Sequence, residues 1–321
     1  MNYAEYFGAI TVLADLFTEG EPPWVHRLPR SEQRAPIILY LGCNVLRTTH
    51  LALTVIDVFR AMGVDFVPMG GPQACCGAVY FMAGDDEAAT KLGERTVRNF
   101  RAFQPEKIVM WCPSCVSIFD RRLSKVMEID VPWEHATQFI AENLHRLPPL
   151  RPIERSLALH RHGGTPQQER DAACARRILE AIPGLEVLDL PYAPELGEHC
   201  TPFLRQAIGE DRFQEAIGSL FRRARESGAT AVATIYHSCH REICEQEGHF
   251  EVEVSNYISL LGKALGISHE DRFKRFKLCG DADAMMEELR PVIQRKALDE
   301  RRVRQVLSAH FAKPESPLSR A

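Results

Sequence analysis

The residues best suited to chemistry in this chain of 321 are its ten cysteines, five of which stand in one ordered series. Cys43 is followed after 31 residues by Cys75-Cys76-Gly77, and 35 residues separate Cys76 from the block Cys112-Pro113-Ser114-Cys115. A disulfide between neighbouring cysteines is strained, so Cys75 and Cys76 read as two sulfurs turned on one object. The formal charge is −4, which calls for neither nucleic acid nor an anionic membrane as main partner. No apolar run approaches the ~20 residues of a membrane span, and the acidic start "MNYAEYFGAITVLADLF" lacks the basic region of a secretory signal. A cytoplasmic protein is therefore expected. Its thiols would be reduced, which favours metal binding or thiol chemistry over a disulfide framework.

The elements that must position these sulfurs alternate between short apolar runs and longer helical patterns, an α/β signature. "PIILYLG" (36–42), "VDFVPM" (64–69) and "KIVMW" (107–111) read as buried strands, each followed by a helical stretch. "VPWEHATQFIAENLHRL" (131–147) reads as a strand entering a helix, and "LPPLRPIE" (147–154) as a linker. The order then recurs. Strands are expected at 156–160, 185–190 and 230–236, with helices at 165–184, at 203–228 (broken), and at 241–248. A last strand and helix follow at 250–266. Thr165, Pro166 and Gln168 supply N-cap, first turn and capping-box partner. The predicted architecture is two pseudo-symmetric Rossmann-like halves with parallel sheets, 36–147 and 156–266. An N-terminal helical arm (1–35) precedes them, and a C-terminal helical tail (267–321) with an unstructured end follows. The arm's stripe Tyr3, Phe7, Ile10, Leu13 and Phe17 must dock on its own body or on a neighbouring protomer. Cys174, Cys244 and Cys279 read as structural.

Each cysteine of the series falls where a strand hands over to a helix. In open parallel sheets these carboxyl ends form the binding crevice, and helix N-termini there favour thiolate. Five sulfurs from three loops are thus expected to converge. The residues alone leave two readings open. One is an iron–sulfur centre on all five, and the other a zinc ion on four with one bystander.

The spacing, with the "CCG" and "CPSC" blocks, resembles the cysteine-rich CCG domain found in the B subunit of heterodisulfide reductase and its relatives. The internal repeat resembles that family's doubled domain over about 36–266. The resemblance implies that Cys43, Cys75, Cys76, Cys112 and Cys115 bind one noncubane [4Fe-4S] cluster. A fifth sulfur exceeds what a cubane or a tetrahedral zinc requires, and Gly77 leaves the backbone room to approach.

Aligned on the first half, the second departs from the family pattern. Cys43 corresponds to Gly163, Cys75 and Cys76 to His199 and Cys200, and Cys112 and Cys115 to Tyr236 and Cys239. Three of five ligands are gone, so a second noncubane cluster is not expected. Cys200, Cys239, His199, His237 and His162 instead form a candidate pocket, with His160 and His240 near. It would be a metal-free substrate site, a second metal site such as zinc, a redox dithiol, or a decayed remnant. Gly163-Gly164 would admit a long substrate arm or simply make a turn.

The resemblance further implies an iron–sulfur component of a heterodisulfide-reductase-like complex. Its expected partners are an Fe–S protein like the family's C subunit and a flavoprotein like its A subunit. The expected chemistry is on sulfur–sulfur bonds, with a small thiol, persulfide or carrier-bound sulfur as substrate. The alternatives are a non-catalytic electron-transfer component of an Fe–S/flavin oxidoreductase, or a zinc-bound interaction module.

Overall fold

The computed structural model describes residues 2–18, 20, 23–29 and 34–312; the end read as unstructured, 313–321, lies outside the described residues. The chain is an α/β protein with two four-stranded sheets of the same topology. In the first, β1 (Ile37–Gly42), β2 (Phe66–Gly70), β3 (Lys107–Met110) and β4 (Trp133–His135) take the order β2-β1-β3-β4. In the second, β5 (Arg155–His160), β6 (Leu185–Leu188), β7 (Ala231–Thr234) and β8 (Glu253–Asn256) take the order β6-β5-β7-β8. All pairings are parallel. Strands covered on both faces read as continuous apolar runs rather than alternations. This is why "IILYLG" and "AVAT" form the central strands β1 and β7, almost wholly buried.

The two halves meet through helices. Thr137, on the helix Ala136–Glu142, donates through Oγ1 to Tyr257 Oη, on the helix Tyr257–Leu265, at 3.0 Å. The helix Pro166–Glu180 places Asp171, fully buried, at the seam. Its carboxylate accepts from Gln138 Nε2 at 2.8 Å and from Tyr236 Oη at 2.9 Å. A buried carboxylate is tolerated only when so satisfied, and here the satisfaction ties one half to the other.

The helices at the two ends of the described residues pack together. In the helix Tyr3–Phe17, Ile10, Leu13 and Phe17 are buried, so the stripe docks on its own body. Phe17 meets Phe276 and Phe311 of the tail helices Arg272–Cys279 and Glu300–Phe311. Lys296, after the helix Ala282–Arg295, donates to the carbonyls of Asp15 and Thr18.

Three local differences from the sequence reading have physical causes. The helical stretch expected after 36–42 begins with a 3-10 turn, Asn44–Thr48, because Thr48 leaves the helical region at φ −120° and ψ 62°. The long helix over 203–228 divides into Pro202–Ile208 and Glu210–Glu226 at Gly209, whose φ is +89°. The helix expected over 241–248 starts earlier, at His237, two residues after β7 ends. It therefore repeats the helix Pro113–Ile118 that follows β3. Cys244 is buried, but Cys279 is exposed at a helix end and packs in no core. No helix of the described residues is long and apolar enough to cross a membrane.

Candidate functional site

The carboxyl ends of β1, β2 and β3 deliver the five cysteines of the series to one place, all buried and all free thiols. Cys43 follows β1 directly. Cys75 and Cys76 follow a 3-10 turn after β2, where Thr96 Oγ1 donates to the Cys75 carbonyl at 2.9 Å. Cys112 is the N-cap of the helix Pro113–Ile118, and Cys115 lies in its first turn, its N–H donating to the Cys112 carbonyl at 3.0 Å. Gly77 meets a local demand of the backbone. It sits at φ +87°, and a Cβ there would stand 2.4 Å from the Ala89 carbonyl oxygen. Only glycine lets the chain turn there and lie against the helix Asp86–Arg101. The turn also aims the Gly77 N–H at Cys75 Sγ, 3.4 Å away.

The five thiols act on one another's ionisation. Hydrogen bonds from Cys43 and Cys76 hold the Cys75 thiol well below its ordinary range. A hydrogen bond from Cys115, reinforced by nearby His237, does the same for Cys112. Donation to Cys75 together with burial pushes Cys43 up, and donation to Cys112 pushes Cys115 up. Cys75 and Cys112 are thus the two thiols of the group most readily ionised. All five open on a single cavity of about 340 Å³. The donor set fits an iron–sulfur centre, since thiolates are what such clusters use and five exceed the need of one tetrahedral ion.

The opposite wall of the cavity comes from the second half. His199 and His237 line it, so the structure separates them from the Cys200/Cys239 group with which the sequence reading placed them. Ring nitrogen Nε2 of His199 lies 3.0 Å from Ser114 Oγ, within the "CPSC" block itself. His237 is buried, and neither of its ring nitrogens has a hydrogen-bond partner; the same holds for Ser238 Oγ and for Nε of Arg47 and Arg241. Arg241 Nη1 donates to Asn44 Oδ1 at 3.0 Å, closing the two halves beside Cys43. Arg47 lies over the Tyr6 ring at 5.2 Å and donates to Nε2 of His310. Burial, then the charge of Arg241, lowers Arg47 to about 10. Arg47 and Arg241 were not singled out in the sequence. One follows Cys43 by four residues and the other follows Cys239 by two, and that adjacency to a ligand loop was their only signal.

Residues 37–120 match the cysteine-rich domain CCG. This stretch carries the CCG domain, and all five cysteines of the series lie within it. Over 76% of its length, the chain is also 23% identical to the D subunit of the dihydromethanophenazine:CoB–CoM heterodisulfide reductase of Methanosarcina barkeri, and it spans 63% of that relative's length. The same subunit from Methanosarcina acetivorans is 21% identical over 77% of this chain and 63% of its own. An EtfAB:quinone oxidoreductase of Syntrophomonas wolfei is 23% identical over 55% of this chain and 25% of its own. The chain is thus related to the D subunit of heterodisulfide reductase.

In the half that follows the CCG domain, the equivalent strand ends bring together four other side chains. His160 ends β5, His162 follows two residues later, Cys200 precedes the helix Pro202–Ile208, and Cys239 lies in the first turn of the helix His237–Ile243. All four are buried, and one ligand atom from each lies within 4.8 Å of the others. His162 and both cysteines belong to the predicted pocket, and His160 takes the place expected of His199 and His237. Burial opposes the Cys239 thiolate, but hydrogen bonds from Cys200, His162 and His160 hold its thiol well below the ordinary value. His240 belongs elsewhere: its Nε2 lies 2.6 Å from Asp271, whose other carboxylate oxygen faces His50 at 3.4 Å. The space opened by Gly163 is filled, since a Cβ there would meet Tyr192 and Glu169 at 2.9 Å. At the neighbouring Gly164, whose φ is +94°, a Cβ would meet nothing within 4 Å, so that glycine serves the turn before the helix Pro166–Glu180.

Proposed function

We propose that this chain is the iron–sulfur component of a heterodisulfide-reductase-like complex, with Cys43, Cys75, Cys76, Cys112 and Cys115 holding one noncubane [4Fe-4S] cluster. In this reading residues 36–147 are the cluster-binding domain and 156–266 its degenerate counterpart, between the arm 1–35 and the tail 267–321. The observation that carries the reading is the meeting of five buried, free thiols at one cavity whose far wall holds unpartnered polar groups. When bound, the cluster supplies single electrons and an iron able to take a substrate sulfur.

The chain's own residues do the rest. Arg47 and Arg241 offset the charge of the gathered thiolates, in a setting where unpaired charge is expensive. Their free Nε–H groups and Ser238 Oγ are donors for the polar end of a substrate. His237, buried and free at both ring nitrogens, can give or take a proton at a sulfur near Cys112. Tyr6 closes the cavity from the arm. The net change is a disulfide or persulfide S–S bond taking two electrons and two protons to give two S–H groups, or the reverse. The electrons pass through partners, an Fe–S protein like the C subunit of heterodisulfide reductase and a flavoprotein like its A subunit.

A second reading, an electron-transfer component without its own substrate, draws support from the similarity to the EtfAB:quinone oxidoreductase. One experiment separates the two. Anaerobically purified protein is titrated with small thiols, disulfides and persulfides while the electron paramagnetic resonance signal of the oxidised cluster is followed. A sulfur ligand that alters the signal, with the response weakened in Arg241→Leu, supports the catalytic reading. A signal indifferent to every sulfur compound leaves only electron transfer.

A further inference from the structure

We infer that His160, His162, Cys200 and Cys239 bind one Zn(II) ion in a closed tetrahedral site, and that this ion fixes the wall facing the CCG cysteines. The inference does not depend on the noncubane assignment of the first half.

The separations are those of a single-ion site. His162 Nε2 lies 3.1 Å from Cys239 Sγ and 3.8 Å from Cys200 Sγ, and His160 Nε2 lies 3.4 Å from Cys200 Sγ. In a tetrahedron with zinc–sulfur and zinc–nitrogen bonds of ordinary length, the nitrogen–sulfur edge is about 3.6 Å. A two-iron cluster on the same residues would hold its cysteine pair and histidine pair on different metals, farther apart than the 4.8 Å that contains all four atoms here. Two thiolates and two imidazoles are a recognised zinc set, and the soft donors disfavour magnesium or calcium.

The surroundings suit the ion. His162 Nδ1–H donates to the Gly197 carbonyl at 2.9 Å, which orients the ring and leaves Nε2 free to ligate, the usual outer-shell arrangement. The Cys200 N–H points at Cys239 Sγ, 3.4 Å away. Zn(II) with two thiolates and two neutral imidazoles carries no net charge, so it can occupy a site whose cysteines are 0% and 1% exposed. With four protein ligands no coordination position is open, which marks a structural rather than catalytic ion.

Its placement gives it a task. His199 precedes the ligand Cys200, and His237, Ser238 and Arg241 flank the ligand Cys239. A metal joining the end of β5, the loop before Pro202 and the helix His237–Ile243 thereby sets these side chains relative to the five cysteines. The second half has kept two cysteines of the repeated pattern and adds two histidines at a strand end.

The test is metal analysis of the full chain, purified anaerobically, in wild type and two variants. One zinc per chain beside the iron is expected in wild type. Cys200→Ser/Cys239→Ser should lose the zinc and keep the iron, while Cys112→Ser/Cys115→Ser should do the opposite. Zinc that disappears with Cys112 and Cys115 instead overturns the inference. If wild type carries no zinc, one equivalent of Co(II) is added. Thiolate-to-cobalt charge-transfer and tetrahedral ligand-field bands are then expected, and their absence is equally fatal. Should the double variant not fold, His162→Gln serves, with Co(II) affinity expected to fall about tenfold or more. Unchanged affinity would refute the site.

Discussion

Replacing His50 by glutamine should remove a defined part of the protein's acid sensitivity. His50 sits on the first half's long helix, His240 on the second half and Asp271 at the start of the tail, so their contact joins three parts of the chain. Burial lowers His50 to about 4, against an opposing pull from Asp271 and with added repulsion from His240, Lys274 and His269. An unfolded histidine titrates near 6.5. Between these values the unfolded chain binds more protons, so stability falls as pH falls. Going from pH 7 to pH 5, the linkage relation gives a loss of about 2 kcal/mol from this one residue. Asp271 contributes almost nothing in that interval. Its carboxyl is held well below the ordinary range, so its share is lost only under more acid conditions. His310, lowered by burial to about 4 but partly exposed, adds a smaller loss of the same sign. The assay is anaerobic urea unfolding of wild type and His50→Gln at pH 7, 6 and 5. The variant should show a pH dependence shallower by about 2 kcal/mol over the interval, whatever its absolute stability. Parallel curves for the two proteins would refute the reasoning.

Two further outcomes follow from the packing. Asp171→Ala leaves the buried Tyr236 hydroxyl and the Gln138 amide without their acceptor at the seam, and should cost about 3 kcal/mol in urea unfolding at pH 7; a loss under about 1 kcal/mol would show that the seam does not depend on it. Gly77→Ala forces a side chain into left-handed backbone and against the Ala89 carbonyl. It should lower bound iron several-fold while the circular dichroism stays near wild type; undiminished iron would mean that this turn does not set the Cys75–Cys76 pair.

What the sequence made legible was whatever repeats or spacing encode. The cysteine intervals survive as strand–loop–helix handovers, so the five sulfurs and their shared crevice were readable before any coordinates. The two-sheet plan was equally readable, because a buried parallel strand such as "IILYLG" has few alternative fates. The second half was harder. Aligning it on the first assumes that each half closes on its own ligands, which groups His199 and His237 with Cys200 and Cys239. In the folded chain both histidines line the cavity of the five cysteines instead, His237 as the first residue of a helix that begins one turn earlier than its composition suggests. His160, read from the sequence only as near that pocket, takes their place from the last position of β5. Arg47 and Arg241 had no pattern at all. Their meaning comes from burial and from donors left free beside a cavity, and neither property is written in one dimension.

The central claim is that Cys43, Cys75, Cys76, Cys112 and Cys115 hold one multi-iron centre between them. The most direct measurement is iron and acid-labile sulfide content with Mössbauer spectroscopy on anaerobic protein, for wild type and for each single serine replacement of the five. The account predicts the iron and sulfide of one [4Fe-4S] centre per chain, and a change in spectrum or content with every replacement. Iron without sulfide, zinc in its place, or a spectrum untouched by loss of Cys43 or Cys76 would contradict it.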